Sequence, residues 1–118
     1  MSDWIFGLNG QATVILDGDC IRNSNGQVVA WVSEGNVYSR NGRHVGWFEK
    51  GVLSDSRNQV LGFLRDATGH LPSRPGIGAT PGTPGFGGRP GRPGLSGTPG
   101  RPGRGGWSNE DLLTYYEG

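Results

Sequence analysis

Apolar and polar positions between residues 4 and 67 recur with a period of sixteen, and the four lines align without a gap. They read WIFGLNGQATVILDGD (4–19), CIRNSNGQVVAWVSEG (20–35), NVYSRNGRHVGWFEKG (36–51) and VLSDSRNQVLGFLRDA (52–67). Ile5, Ile21, Val37 and Leu53 share one column, and Ile15, Trp31, Trp47 and Phe63 share a bulky one. Val14, Ala30, Gly46 and Gly62 form a small column beside it, and Leu16, Val32, Phe48 and Leu64 close the apolar set. A unit this short cannot bury its own apolar face, so the repeats must pack on one another.

Each line predicts a β-hairpin. Asn9-Gly10, Asn25-Gly26 and Asn41-Gly42 stand between alternating runs. Asn-Gly is a strong hairpin signal because a type I′ turn needs φ > 0 at both central residues. Gly10, Gly26 and Gly42 are therefore expected to be structural turn residues, with Arg57-Asn58 at the same place in the fourth line. Asp17-Gly18, Glu34-Gly35 and Lys50-Gly51 link the lines, the first displaced by one position, so an irregularity is expected there. The expected result is an up-and-down meander of eight strands, each of about five to seven residues. Helix is excluded because Asn, Gly and Ser interrupt every window before three turns could form.

The second strand of each hairpin is apolar on both faces. In the third unit, alternation puts Val45 and Trp47 on one face and His44, Gly46 and Phe48 on the other. Second strands should then lie inside, covered on both sides, and first strands should be half exposed. A flat sheet cannot cover two apolar faces, whereas a radial arrangement or closure into a small barrel can. The fold class expected is all-β: four hairpin repeats about a pseudo-four-fold axis, with Ile15, Trp31, Trp47 and Phe63 as structural core. The small column suggests close backbone approach.

The stretch from Val28 to Phe63, VVAWVSEGNVYSRNGRHVGWFEKGVLSDSRNQVLGF, resembles the four-fold β-flower proteins of bacteria. That resemblance implies four hairpins around a central axis, and it extends to a Gly/Pro-rich arm and a Trp-Ser tip in 72–118. Two positions depart from it: the fourth unit lacks the turn glycine, and the first has Val14 in the small column. The resemblance implies an architecture and no reaction.

Composition changes after the body (1–71). The chain has Gly 24 and Pro 8, and every proline lies between Pro72 and Pro102. From Gly82 to Gly106 glycine recurs at every third place, a collagen-like register. Residues 72–106 are therefore expected to be a low-complexity, polyproline II-like linker, able to self-associate if its triplets form a triple helix. The linker holds Arg74, Arg89, Arg92, Arg101 and Arg104 and no acid, whereas 107–118 holds Glu110, Asp111 and Glu117 and no base. Five arginines allow a weak nucleic-acid contact through phosphates, with only Phe86 available for stacking.

The tip, WSNEDLLTYYEG, regains an apolar pattern. Ser108 is placed to cap a helix, Asp111 stands at the capping-box position, and Trp107 and Leu112 have the spacing of a hydrophobic staple. Leu112, Tyr115 and Tyr116 then share a helical face. So short a helix needs a surface to order it. The expectation is a tethered peptide that docks on an unknown protein partner through Trp107, Leu112, Tyr115 and Tyr116; the alternative is a tail folded onto its own body.

No nucleotide-binding, hydrolase or metalloprotease motif is present, and no catalytic, cofactor or metal residue is expected. His44 shares a column with Ala12, Val28 and Val60 and is expected to be packed. Arg22, Tyr38 and Arg40 look like a solvated strand surface. Cys20 is the one cysteine, so no intramolecular disulfide forms, and with no base in its repeat it is expected to be inert. No run reaches the roughly 18 apolar residues of a membrane span, and no secretory signal is visible, so a cytoplasmic location is expected. The function expected is a non-enzymatic interaction or scaffold module. The alternatives are a nucleic-acid-associated protein and a binder of lipid or a small apolar ligand at the axis.

Overall fold

The computed structural model describes residues 2–8, 10–69, 71, 76–78, 80, 85, 88, 94, 97, 100, 103, 106–108 and 112–116. The body is a closed barrel of β1 (Ser2–Phe6), β2 (Ala12–Asp17), β3 (Cys20–Arg22), β4 (Val28–Ser33), β5 (Asn36–Ser39), β6 (His44–Glu49), β7 (Val52–Ser54) and β8 (Val60–Leu64), in that order. Every neighbouring pair is antiparallel, and β1 returns to β8 through Ile5↔Leu64 and Phe6↔Phe63. One helical turn, α1 (Leu112–Tyr115), lies in the tip. Strands β3 and β7 have 3 residues each, shorter than expected, because the repeat turns take more of the chain than type I′ turns would.

Those turns differ from the expectation in a specific way. Gly10, Gly26 and Gly42 have φ of 77°, 84° and 88°, but positive φ does not extend to Asn25 or Asn41. In each unit the amide at the glycine place donates to the carbonyl three residues back: Gly10 to Gly7, Gly26 to Asn23, Gly42 to Ser39 and Asn58 to Asp55, at 2.9–3.0 Å. This is a type I turn closed by one residue in the left-handed region. Asn58 fills that place in the fourth unit with φ 61°, which Asn tolerates better than most side chains. The type I′ turns lie between units, where Glu34-Gly35 and Lys50-Gly51 both have positive φ. At the displaced link, Gly18-Asp19 joins Asp17 to Cys20 and only Gly18 is positive, the φ signature of a type II′ turn.

A bulge in each unit resets the alternation. Ile5 faces Val14 but Phe6 faces Ala12, and the same skip recurs at Ile21/Arg22, Val37/Tyr38 and Leu53/Ser54. The extra residue is Thr13, Val29, Val45 or Leu61. A bulge sets two residues against one, and Val29 and Ala30 accordingly both join the lumen cluster with Ile5, Val14, Ile21, Val37, Val45, Leu53 and Leu61. This corrects the facing expected in the third unit. Val45 points into the lumen, and His44 turns out to pack on Trp47 at 4.9 Å between ring centroids.

The bulky column is buried but lies outside the barrel wall. Ile15, Trp31, Trp47 and Phe63 are 1%, 3%, 6% and 0% exposed, yet none belongs to the lumen cluster. Trp31 packs with Cys20, Val28 and Tyr38, and Phe63 with Phe6, Val52, Val60 and Ala67. These rings cover the flanking first strands, so β3 and β7 are buried along their length and not half exposed. Gly46 is small because a Cβ there would meet the Ser54 carbonyl oxygen at 2.0 Å.

The turn geometry sets an order of tolerance. Gly26→Val and Gly42→Val force a β-branched residue to positive φ, at a cost of about 1–2 kcal/mol or more. Each should lower the melting temperature by roughly 4–8 °C per kcal/mol. Asn58→Gly should cause a smaller change, since it relieves the same conformation. Thermal melts of the three variants followed by circular dichroism check the order.

Candidate functional site

Three of the four repeat turns carry a side chain that bonds their own backbone. Asn23 Oδ1 accepts from the Asn25 and Gln27 amides at 2.9 and 3.1 Å, and Asp55 Oδ1 from the Arg57 and Gln59 amides, both at 2.9 Å. Ser39 Oγ accepts from the Arg43 amide at 3.3 Å and donates to Asn41. Such short polar side chains mimic a turn. Asp55 differs in having a second oxygen, which accepts from the Ser108 hydroxyl at 2.6 Å although Asp55 is 1% exposed.

Ser108 belongs to the tip, and the tip is docked on the body. The Val60 amide donates to Gly106 O at 2.9 Å and the Ser108 amide to Val60 O at 2.8 Å, which makes a parallel bridge between Trp107 and β8. Trp107 meets Phe63 edge-on at 6.1 Å. The helical turn α1 sits at the barrel mouth. Leu112 and Tyr116 are 4% and 3% exposed and complete the lumen cluster. Gly62 makes room for Leu112 and for the β1 backbone, since a Cβ there would stand 2.8 Å from both Leu112 Cδ2 and Phe6 O. The Tyr115 hydroxyl donates to Val45 O at 2.5 Å and accepts from the Ser56 amide at 3.0 Å.

Trp107, Leu112, Tyr115 and Tyr116, expected to face a partner, therefore face this chain's own body. The physical reason is that the lumen needs a closing layer at the repeat-turn end. Leu112 alone contributes about 1.5–3 kcal/mol when fully buried. The Ser108 hydroxyl donates to Asp55, and the helical turn described is Leu112–Tyr115. The amides that Ser108 was expected to cap belong to residues outside the described set. Trp107 lies against Phe63 on the outer face, whereas Leu112 enters the lumen, so the two do not staple one another. Asp111 lies outside the described residues.

The chain is held on the body where it enters the linker. The Thr68 and Gly69 amides donate to Lys50 O at 2.9 and 3.0 Å, and the Gly78 amide to Gly10 O at 2.9 Å. Gly10 is doubly constrained, since a Cβ there would also meet Gly76 O at 1.9 Å. The linker prolines and arginines, and with them the triple-helix expectation, lie outside the described residues.

The remaining candidates are structural. Arg22 is buried, not solvated: its Nε donates to Asp17 Oδ2 at 2.8 Å and its Nη1 to Gly26 O at 2.7 Å. Tyr38 is 5% exposed, and Arg40 is on the surface. Cys20 is fully buried, its thiol 3.2 Å from Asp17 O. His44 Nε2 lies 3.2 Å from Asn36 Oδ1, and burial lowers its pKa. Among the described residues no three His, Cys, Asp or Glu side chains gather as metal ligands, and no helix is long and apolar enough to cross a membrane.

Two measurements follow. The Tyr116 hydroxyl is buried with no hydrogen-bond partner among the described residues, and burial first, then Tyr115 and Asp55, keeps it protonated far above the usual range. An unsatisfied buried hydroxyl costs about 1–3 kcal/mol, so Tyr116→Phe should hold or raise the melting temperature, while Tyr115→Phe, losing two bonds, should lower it. His44 favours its neutral form in the fold. Its contribution is full above the unfolded value of 6.5 and is lost as pH falls through the lowered folded value. Denaturant titrations from pH 8 to pH 5 should show a smaller loss of stability for His44→Gln than for the parent.

Sequence comparison agrees with this geometry. The family model described as 4-fold beta flower protein matches residues 3–116, which includes the docked tip. No curated protein and no solved structure matches the chain.

Proposed function

We propose that this chain, which belongs to the 4-fold beta flower proteins, works by binding and not by catalysis, as a receptor and its ligand joined in one polypeptide. The receptor is the barrel mouth at the repeat-turn end. The ligand is the short segment 107–116, delivered by a glycine-rich linker. The observation that carries this reading is the composite dock: a strand-like bridge from Trp107 to Val60, the Ser108–Asp55 hydrogen bond, and Leu112 seated over Gly62. It combines strand addition with an amphipathic turn in a groove, two recurring modes of peptide recognition. A linker raises the local concentration of its ligand to about millimolar, so modest contacts suffice to hold the segment in cis. The same mouth then serves a similar segment of a partner protein when its own is displaced.

Two of the alternatives have less support. An apolar ligand at the axis would have to displace Ile5, Ile21, Val37 and Leu53, each 0% exposed. Nucleic-acid binding rests on the linker arginines alone.

The test uses the full chain with Trp107→Ala and Leu112→Ala together. Its melting temperature should fall by about 5 °C or more. Added peptide 107–118 should bind, with a change in tryptophan fluorescence, and restore most of that loss. A double variant that melts with the parent and ignores the peptide would overturn the reading.

A further inference from the structure

The dock at the barrel mouth reads its segment one position at a time. Trp107 has its backbone bridge to Val60 and its edge contact with Phe63. Asp55 is 1% exposed and keeps an oxygen for the Ser108 hydroxyl, so it requires a hydrogen-bond donor there. Gly62 leaves space for the Leu112 side chain. The Tyr115 hydroxyl is used twice, donating to Val45 O and accepting from the Ser56 amide.

Tyr116 breaks this pattern. Its ring is 3% exposed and packs in the lumen cluster, but its hydroxyl is buried with no hydrogen-bond partner among the described residues. Burial also keeps that hydroxyl neutral. On docking it gives up its bonds to water and gains none in return. A released tip recovers those bonds, so the hydroxyl favours release. The same ring without the hydroxyl keeps the apolar contact and carries no such cost.

We propose, on the reading of the mouth as a receptor, that it selects a partner segment of the pattern Trp-Ser-x-x-x-Leu-x-x-Tyr-Phe, and that the chain's own tip is a weakened copy of that ligand, made displaceable by Tyr116. The tether sets how much the partner must gain. A tip held at about millimolar effective concentration excludes a free segment with the same contacts until that segment reaches a similar concentration. Loss of one unpaired buried hydroxyl changes affinity by about tenfold. A segment with Phe at the last place then displaces the tip at about one tenth of that concentration. The other positions decide which segments qualify. Ala in place of Ser108 takes the hydroxyl donor from Asp55, and Phe in place of Tyr115 takes two hydrogen bonds from the wall.

The experiment uses the full chain with Trp107→Ala and Leu112→Ala, which vacates the mouth. The probes are fluorescein-labelled peptide 107–118 and its Tyr116→Phe, Tyr115→Phe and Ser108→Ala forms. In anisotropy titrations the Tyr116→Phe peptide should bind about tenfold more tightly than the parent peptide, and the other two about tenfold more weakly. Equal or weaker binding of the Tyr116→Phe peptide overturns the proposal and leaves the receptor reading standing. Undiminished binding of the other two overturns the pattern. If no peptide binds, the receptor reading itself fails and takes the proposal with it. A second measurement needs no vacated mouth. The Val60 amide is bonded to Gly106 O, so its hydrogen exchange reports opening of the dock. Tyr116→Phe alone, in the otherwise unchanged chain, should slow that exchange by about tenfold. Exchange at the parent rate or faster overturns the proposal.

Discussion

The fold depends on β1 reaching β8. Four identical hairpins in a row would leave two open edges and a sheet apolar on both faces. Pairing Ile5 with Leu64 and Phe6 with Phe63 removes the edges and turns one face into a lumen. Closure requires tight curvature, and the bulge in each unit supplies it by setting two residues against one. The same bulge brings an extra residue, such as Val29 or Val45, into the lumen. The space left over is small, which is why the neighbouring column is Val, Ala, Gly and Gly. The outer rings follow from the same geometry, since each Trp or Phe lies over its neighbouring strands and keeps the wall dry on both sides.

Pseudo-symmetry is broken where the chain returns. The fourth unit has Asp55 where the others have Gly7, Asn23 and Ser39, and Asn58 in place of the turn glycine. Asp55 uses one oxygen to hold its own turn, as Asn23 does, and the other to hold Ser108. Gly62, beside it, accommodates Leu112. The departures of the fourth unit thus coincide with the place where the tip enters. The four-fold body leaves one end of its lumen open, and the tip closes it with a single non-repeating layer.

That closing layer gives the molecule its division of labour. The lumen residues and outer rings hold the barrel. The tip adds a separable layer, joined by a linker with little apolar content and unable to build a core of its own. One ordered turn with an orphan Tyr116 hydroxyl is a weaker element than any strand of the wall. Exchange of such a layer costs less than opening the barrel, which is why the proposed binding falls to it rather than to the axis.

Much of this was legible in the amino-acid sequence. The sixteen-residue period, the hairpins, the burial of Ile15, Trp31, Trp47 and Phe63 and the positive φ of Gly10, Gly26 and Gly42 follow from local chemistry: alternation, turn propensity and the cost of exposing large rings. Three things did not follow. The bulge has no residue signature of its own, so alternation placed Val45 and His44 on the wrong faces. The turn class was mistaken because one left-handed residue satisfies Asn-Gly as well as two do. The direction of the tip was beyond local reasoning altogether. Its apolar spacing established that it must dock, but whether in cis or in trans depended on an empty mouth that exists only after β1 and β8 have met.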